Sequence, residues 1–250
     1  MSNKFLTISH LKKNYQTQKD EIEALKDINL EVKEGSFISI VGPSGCGKST
    51  LLSILANLES KSGGSVVFNK KNVVIGYMLQ KDCLFPWLTI LDNCLLGLKI
   101  KGTLNKESKD YVLHLLKTYG LEDFIYHYPS SLSGGMRQRV ALIRTLAIKP
   151  DILLLDEPFS ALDAMTRVAL SDDVYKMIKL ENKTAIMVTH DISEAVSLSD
   201  QVVVFTKRPA VIKKIYDIEL TGRSTPTQNR KCKEFNYYYD MIWRDLDVHI

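Results

Sequence analysis

Residues 42–49 read Gly-Pro-Ser-Gly-Cys-Gly-Lys-Ser and satisfy the spacing G-x-x-x-x-G-K-[ST] of a phosphate-binding P-loop. An apolar run at 37–41 precedes the pattern and a helical segment over 48–58 follows, so it lies where a strand hands over to a helix. There Gly42, Gly45 and Gly47 let backbone N–H groups turn inward around a phosphate, with Pro43, Ser44 and Cys46 completing the loop. The helix N-terminus adds a positive dipole end beside Ser49 and Thr50. Lys48 is expected to reach the β and γ phosphates of ATP, and the Ser49 hydroxyl to ligate Mg²⁺. Cys46 reads as a small side chain that the loop tolerates, with a redox switch as the alternative.

Four apolar residues at 152–155 end in Asp156 and Glu157. A fully buried strand would deliver Asp156 at its carboxyl end, where ligands of open α/β sheets bind, so its carboxylate can hold Mg²⁺ or the water around it. Glu157 is then placed to orient and deprotonate an attacking water. Taken alone, the two acids also fit a strand that ends in a solvated turn. Small-molecule kinases, GTPases and helicases share both features, which therefore indicate a nucleotide chemistry without selecting a family.

The elements that must position these groups follow from periodicity. Apolar runs of strand length alternate with stretches of helical period, the pattern of an α/β chain with a mainly parallel sheet. Strands are expected at 5–8, 28–32, 37–41, 152–155, 185–188 and 202–205, with short ones at 66–68 and 74–77. From 88 to 148 the texture is helical, with Leu113, Leu116 and Tyr119 spaced as one apolar face and Pro129 as a break. Helices are also expected at 164–180 and 192–198, and beyond residue 221 a polar, then aromatic tail reads as a helical extension over 222–250. Hydrophobic residues at 45% and charged residues at 25% are ordinary globular values. No apolar run approaches the roughly 18 residues needed to span a bilayer. Residues 1–13 lack an apolar stretch with a cleavage site, so a cytoplasmic chain is expected. The net charge of +4 is spread over scattered basic residues, which gives nucleic-acid binding no support. Cys46, Cys83, Cys94 and Cys232 show no metal-ligand or CxxC spacing and are expected to be free thiols.

Residues 132–139, LSGGMRQR, lie shortly before the acidic strand and resemble the LSGGQ signature of the ABC ATPase family. Physically, Ser133, Gly134 and Gly135 ahead of a helix at 136–148 make a second anion-binding helix N-terminus. The resemblance implies that this turn closes on the γ-phosphate held by a second copy, so that the hydrolytic site exists only in a dimer. Further positions match in the family's order. Tyr15 resembles the aromatic that stacks on adenine, and Gln80 the Q-loop glutamine that touches Mg²⁺ or water and senses a membrane partner. Residues 160–163 resemble the D-loop, in which Asp163 also fits the N-cap of the next helix. His190 resembles the switch histidine that hydrogen-bonds the γ-phosphate. The roles implied are catalytic for Glu157, His190, Lys48 and Gln80, and metal-holding for Ser49, Gln80 and Asp156. The fold implied is a P-loop NTPase cassette with a RecA-like core, an antiparallel β portion and a helical subdomain inserted at about 84–148, together filling residues 1–221.

Residues 84–93, 156–167 and 189–196, with Met136, resemble the importer subfamily that serves nitrate, sulfonate, taurine and related solutes. Thiamine-precursor and riboflavin importers have near-identical cassettes. The partners implied are transmembrane permease subunits, an extracytoplasmic solute-binding protein and a second copy of the chain, at the cytoplasmic face of the cell membrane. Phe85, Pro86 and Trp87 fit either a groove for a permease helix or the core of the helical subdomain. Asn57 and Lys61 stand where the family usually has Gly and Pro, and a shortened 57–80 segment reads as a trimmed hairpin. Ile143 and Thr145 replace small alanines of the signature helix. Two rivals are a non-transport ABC ATPase and a non-catalytic subunit. Neither a heptad insertion nor a tandem cassette supports the first, and the intact Lys48, Asp156, Glu157 and His190 oppose the second.

Overall fold

The computed structural model describes residues 4–16, 20–160 and 162–246. In chain order it contains β1 (Lys4–Gln16), β2 (Glu21–Lys33), β3 (Phe37–Val41), α1 (Lys48–Leu55), β4 (Gly63–Phe68), β5 (Ile75–Met78), α2 (Ile90–Ile100), α3 (Lys106–Thr118), α4 (Gly134–Ala147) and β6 (Ile152–Asp156). It continues with α5 (Ala164–Leu180), β7 (Thr184–Val188), α6 (Ile192–Leu198), β8 (Gln201–Phe205), β9 (Ala210–Asp217), α7 (Pro226–Asn229) and α8 (Lys233–Asp245).

Two kinds of strand follow from two kinds of pattern. Every residue of β3, β6 and β7 is buried, as in a parallel sheet covered on both faces. In β2, Ile28, Leu30 and Val32 turn inward while the residues between them face water, the alternation of an antiparallel sheet with one wet face. Among the described residues the sheet order is β4-β1-β2-β9-β8-β3-β7-β6-β5. β5, β6, β7, β3 and β8 run parallel, so their C-terminal ends share one edge. β1 pairs antiparallel with β2 and β4, and β9 joins the two portions, antiparallel to β8 and parallel to β2.

Several expectations are corrected. The strands expected at 5–8 and 28–32 extend to Lys4–Gln16 and Glu21–Lys33, because backbone pairing carries them through polar positions. β9 was not expected, since Lys213 and Lys214 break its alternation. The helix expected at 48–58 stops at Leu55, where Asn57 takes a left-handed φ of 57° and the Leu58 N–H returns to the Ser53 carbonyl at 2.9 Å. The inward face of α3 is Val112, Leu115 and Leu116, with Leu113 and Tyr119 half-buried at its flank. Among the described residues β4 pairs with β1 alone and β5 with β6 alone, so these two strands do not form a hairpin with each other.

α2, α3 and α4 pack Leu91, Leu95, Val112, Leu116, Val140 and Ile143 into one apolar cluster that continues under β6. In α8, Phe235 and Ile242 close over Val202, Val204 and Tyr216, and the Tyr216 hydroxyl donates to Asp245. All four cysteines are free, and burial pushes the Cys94 thiol up to about 12. Among the described residues no helix is long and apolar enough to cross a membrane.

Candidate functional site

The parallel strands deliver the expected site residues to the shared edge: the loop 42–50 after β3, Gln80 after β5, Asp156 and Glu157 at β6 and His190 after β7, with residues 206–209 following β8.

The loop depends on Gly47, whose φ is 119°, a conformation L side chains rarely adopt. A Cβ there would sit 2.9 Å from Leu25 Cδ2 and 3.1 Å from the Ala24 carbonyl oxygen, so glycine also lets the loop close against β2. The N-cap of α1 is Gly47, which has no side chain to satisfy the first-turn N–H groups directed out of the helix. The Lys48 ammonium donates to the carbonyls of Gly42 at 2.7 Å and Pro43 at 3.0 Å, inside the loop. Cys46 is buried and burial raises its thiol pKa, which favours an inert small side chain over a redox switch. The Ser49 hydroxyl donates to Asp156 Oδ1 at 3.0 Å. Burial raises the Asp156 carboxyl pKa against the hydrogen bond from Ser49, and the charge on Glu157 adds to the rise.

Glu157 has a left-handed φ of 45°, held by an N–H donated to the Val188 carbonyl at 2.9 Å. That link between the ends of β6 and β7 aims its carboxylate at two other expected residues. Glu157 Oε2 accepts from Gln80 Nε2 at 3.0 Å and lies 3.4 Å from His190 Nδ1. The Tyr15 hydroxyl lies 3.4 Å from Thr50 Oγ1, and the Lys13 ammonium sits over one face of its ring, 4.6 Å from the centroid.

Two cavities meet at Glu157. One of about 290 Å³ is lined by Tyr15, Ser44, Gly45, Gly47, Lys48, Ser49 and Thr50, with Ile22, Ala24 and Arg208. The other, of about 620 Å³, is lined by Gln80, His190, Gly134, Gln138 and Ser160. Gly42, Pro43 and Cys46 do not line the first cavity; Gly42 and Pro43 act through the carbonyls that hold Lys48. Ser133, Gly135 and Asp163 line neither. The signature helix begins at Gly134, not at 136, because Ser133 is its N-cap and accepts the Met136 N–H at 3.3 Å. A Cβ on Gly135 would come 2.6 Å from Thr166 Cγ2, so this glycine serves close packing of α4 on α5. Asp163 caps α5 through the N–H groups of Met165 and Thr166; its D-loop neighbour Ala161 lies outside the described residues. Arg137 bonds Asp82 at 3.0 Å and Arg144 bonds the carbonyls of Asp82 and Cys83, tying α4 to the segment after Gln80. Phe85 and Trp87 are exposed with ring centroids 5.3 Å apart, which excludes the core reading for both.

Sequence reasoning missed Arg208 and a buried network beside His190. Glu194, 3% exposed, accepts the Thr189 hydroxyl at 2.6 Å, and burial pushes its carboxyl pKa up to about 7, with Asp191 adding to the rise and Arg167 opposing it. Arg167 bonds the Leu162 carbonyl at 3.0 Å and lies 3.5 Å from Asp191, so one guanidinium joins the 160–163 segment to the His190 loop. The Glu194 signal was available, since Glu194 stands one helical turn inside the motif that carries His190. The Arg208 signal was lost with β9.

A family model described as "ABC transporter" matches residues 25–160. The chain is 47% identical to the uncharacterized ABC transporter ATP-binding protein YtlC of Bacillus subtilis, over 97% of this chain and 96% of that protein. It is 40% identical to the aliphatic sulfonates import ATP-binding protein SsuB of Bacillus subtilis, over 96% and 98%, and 37% identical to the taurine import ATP-binding protein TauB of Roseobacter denitrificans, over 98% and 96%. Among solved structures it resembles a dimeric ATP-binding cassette in a post-hydrolysis state bound to ADP and Pi, with a TM-score of 0.74 and 34% identity over 86% of this chain and 99% of that one. These findings agree with the P-loop, the acidic strand end and the signature turn: the chain belongs to the ABC transporter family, as an ATP-binding and ATP-hydrolysing cassette.

Proposed function

We propose that the chain is the ATPase subunit of an importer for sulfonate-, taurine- or nitrate-like solutes, working as a nucleotide-sandwich homodimer at the cytoplasmic face of the membrane. Its partners are separate permease subunits and an extracytoplasmic solute-binding protein. The ATP-binding domain spans residues 1–221, with the inserted helices at about 84–148, and 222–250 is an extension. One observation carries the dimer: Ser133 and Gly135 stand outside the cavity that the chain's own phosphate loop lines, and so are left for a nucleotide on a second copy. The relatives' names support the solute class. The exposed pair Phe85 and Trp87 supports a permease contact.

Lys48 and the first-turn N–H groups of α1 hold the phosphate chain. Glu157 accepts a proton from water as its oxygen bonds to the γ-phosphorus and the bond to the β–γ bridging oxygen breaks. Gln80 and His190 both approach Oε2 of Glu157, which fixes the carboxylate while Oε1 receives that proton, and His190 also bonds the γ-phosphate. An alcohol and a carboxylate oxygen 3.0 Å apart, on Ser49 and Asp156, are the hard donors that suit Mg²⁺. Those two residues, with the Gln80 amide oxygen, would hold the ion, which when bound neutralises phosphate charge.

In the purified chain, Glu157→Gln is expected to keep ATP affinity and lose turnover by about 10²- to 10⁴-fold, the usual worth of a general base. A steady-state ATPase rate within about twofold of the parent would remove Glu157 from this role.

A further inference from the structure

Arg208 has no role in the motifs that identify this chain, yet its side chain lines the same cavity as Tyr15, Lys48 and Thr50. It follows β8, whose C-terminal end lies beside that of β3. The loop is fixed at its base: the Thr206 N–H donates to the Val211 carbonyl at 3.1 Å, and the Val211 N–H donates to Thr206 Oγ1 at 3.1 Å. Ala210 then pairs with Leu25, the residue after Ala24 in the cavity wall. The backbone is thus held against β2 while the side chain remains exposed.

Arg137, Arg139, Arg167 and Arg223 each approach a carboxylate within 4 Å. Arg144, Arg230 and Arg244, which have no such ion pair among the described residues, do not line this cavity, whereas Arg208 does. Among the described residues nothing pairs with Arg208, although Glu157 lines the same cavity. A planar guanidinium with five donors is built to bond phosphate oxygens in pairs, and the cavity that Arg208 lines also holds Lys48 and the hydroxyl residues Tyr15, Ser44, Ser49 and Thr50, with Glu157 as the carboxylate in its wall. We propose that Arg208 is a second cationic contact to the bound nucleotide, gripping its phosphate chain from the β2 and β9 side while Lys48 grips it from within the loop. This assignment rests on the reading of the cavity as the nucleotide site.

Equilibrium binding of ATP, ADP and adenosine, by competition against a fluorescent ATP analogue, tests it on the full chain. Arg208→Ala should weaken ATP and ADP roughly 10-fold, the effect of one charge-assisted hydrogen-bonding group, and adenosine by less than about twofold. Arg208→Lys should recover part of the loss, and the loss should shrink as salt rises. Lys207→Ala removes an exposed neighbouring charge outside the cavity and should leave affinity unchanged. Unchanged ATP affinity in Arg208→Ala would overturn the proposal. So would an equal loss for adenosine, which places the contact on the base, or an equal loss in Lys207→Ala, which makes it a general charge effect. Lys48→Ala separates the layers: if it too binds ATP normally, the cavity reading fails, whereas a loss there with none in Arg208→Ala sinks this inference alone.

Discussion

The N-termini of α1 and α4 both combine glycine with a hydroxyl side chain, and they are finished differently. At α1 the cap is Gly47, which has no side chain to bond the first turn, and the ammonium of Lys48 lies alongside. At α4 the cap is Ser133, whose hydroxyl already accepts the Met136 N–H. The glycines differ as well. Gly47 lets the loop press against β2 with φ at 119°, whereas Gly135 gives way to Thr166 of the neighbouring helix. An open turn beside a fixed cation can hold a polyanion by itself. A turn that satisfies part of its own backbone makes a weaker anion site and is suited to complete one held elsewhere. The two turns are thus unequal, and in the proposed dimer they are the two halves of one reaction site.

The strongest blow to the α1 half is Gly47→Ala. A Cβ in this conformation, against Leu25 and the Ala24 carbonyl, carries about 2 kcal/mol of strain, so ATP affinity should fall roughly 30-fold by calorimetric titration. Parental affinity would mean that the loop's shape does not govern binding. A smaller effect is expected at Glu194, which sits behind His190 and touches neither half. Its folded pKa of about 7 lies above the ordinary 4.5, so the folded state holds this proton more tightly than the unfolded chain. That contribution to stability is full below pH 4.5 and is lost as pH rises through 7. Glu194→Gln is free of this loss, so its melting temperature should gain on the parent's between those pH values. Parallel melting curves across that range would exclude a raised pKa.

Much of this was legible because local rules and the fold agree. The short runs at β3 and β7, four apolar residues in five, have the length of buried strands, and the helices expected at 164–180 and 192–198 match α5 and α6 residue for residue. The contact between Ser49 and Asp156 was foreseeable, since Asp156 ends β6 and Ser49 opens the helix that follows the P-loop at the end of β3, both at one edge of the parallel sheet. What was not legible depends on pairing between distant segments. β9 hides its burial behind Lys213 and Lys214, so neither its strand nor the loop that places Arg208 could be read. The register of β2 against the phosphate loop, which sets Ala24 and Leu25 under Gly47, has no local signature. Arg167 meets Asp191 and Glu194 only because α5 and α6 pack side by side.

Sedimentation of Glu157→Gln with saturating ATP, with and without Ser133→Arg, tests the division of the site between two copies most directly. The account predicts a dimer with ATP bound in the single variant, and in the double variant a monomer that still binds ATP. A single variant that stays monomeric when saturated with ATP, or a dimer undisturbed by Ser133→Arg, would contradict it.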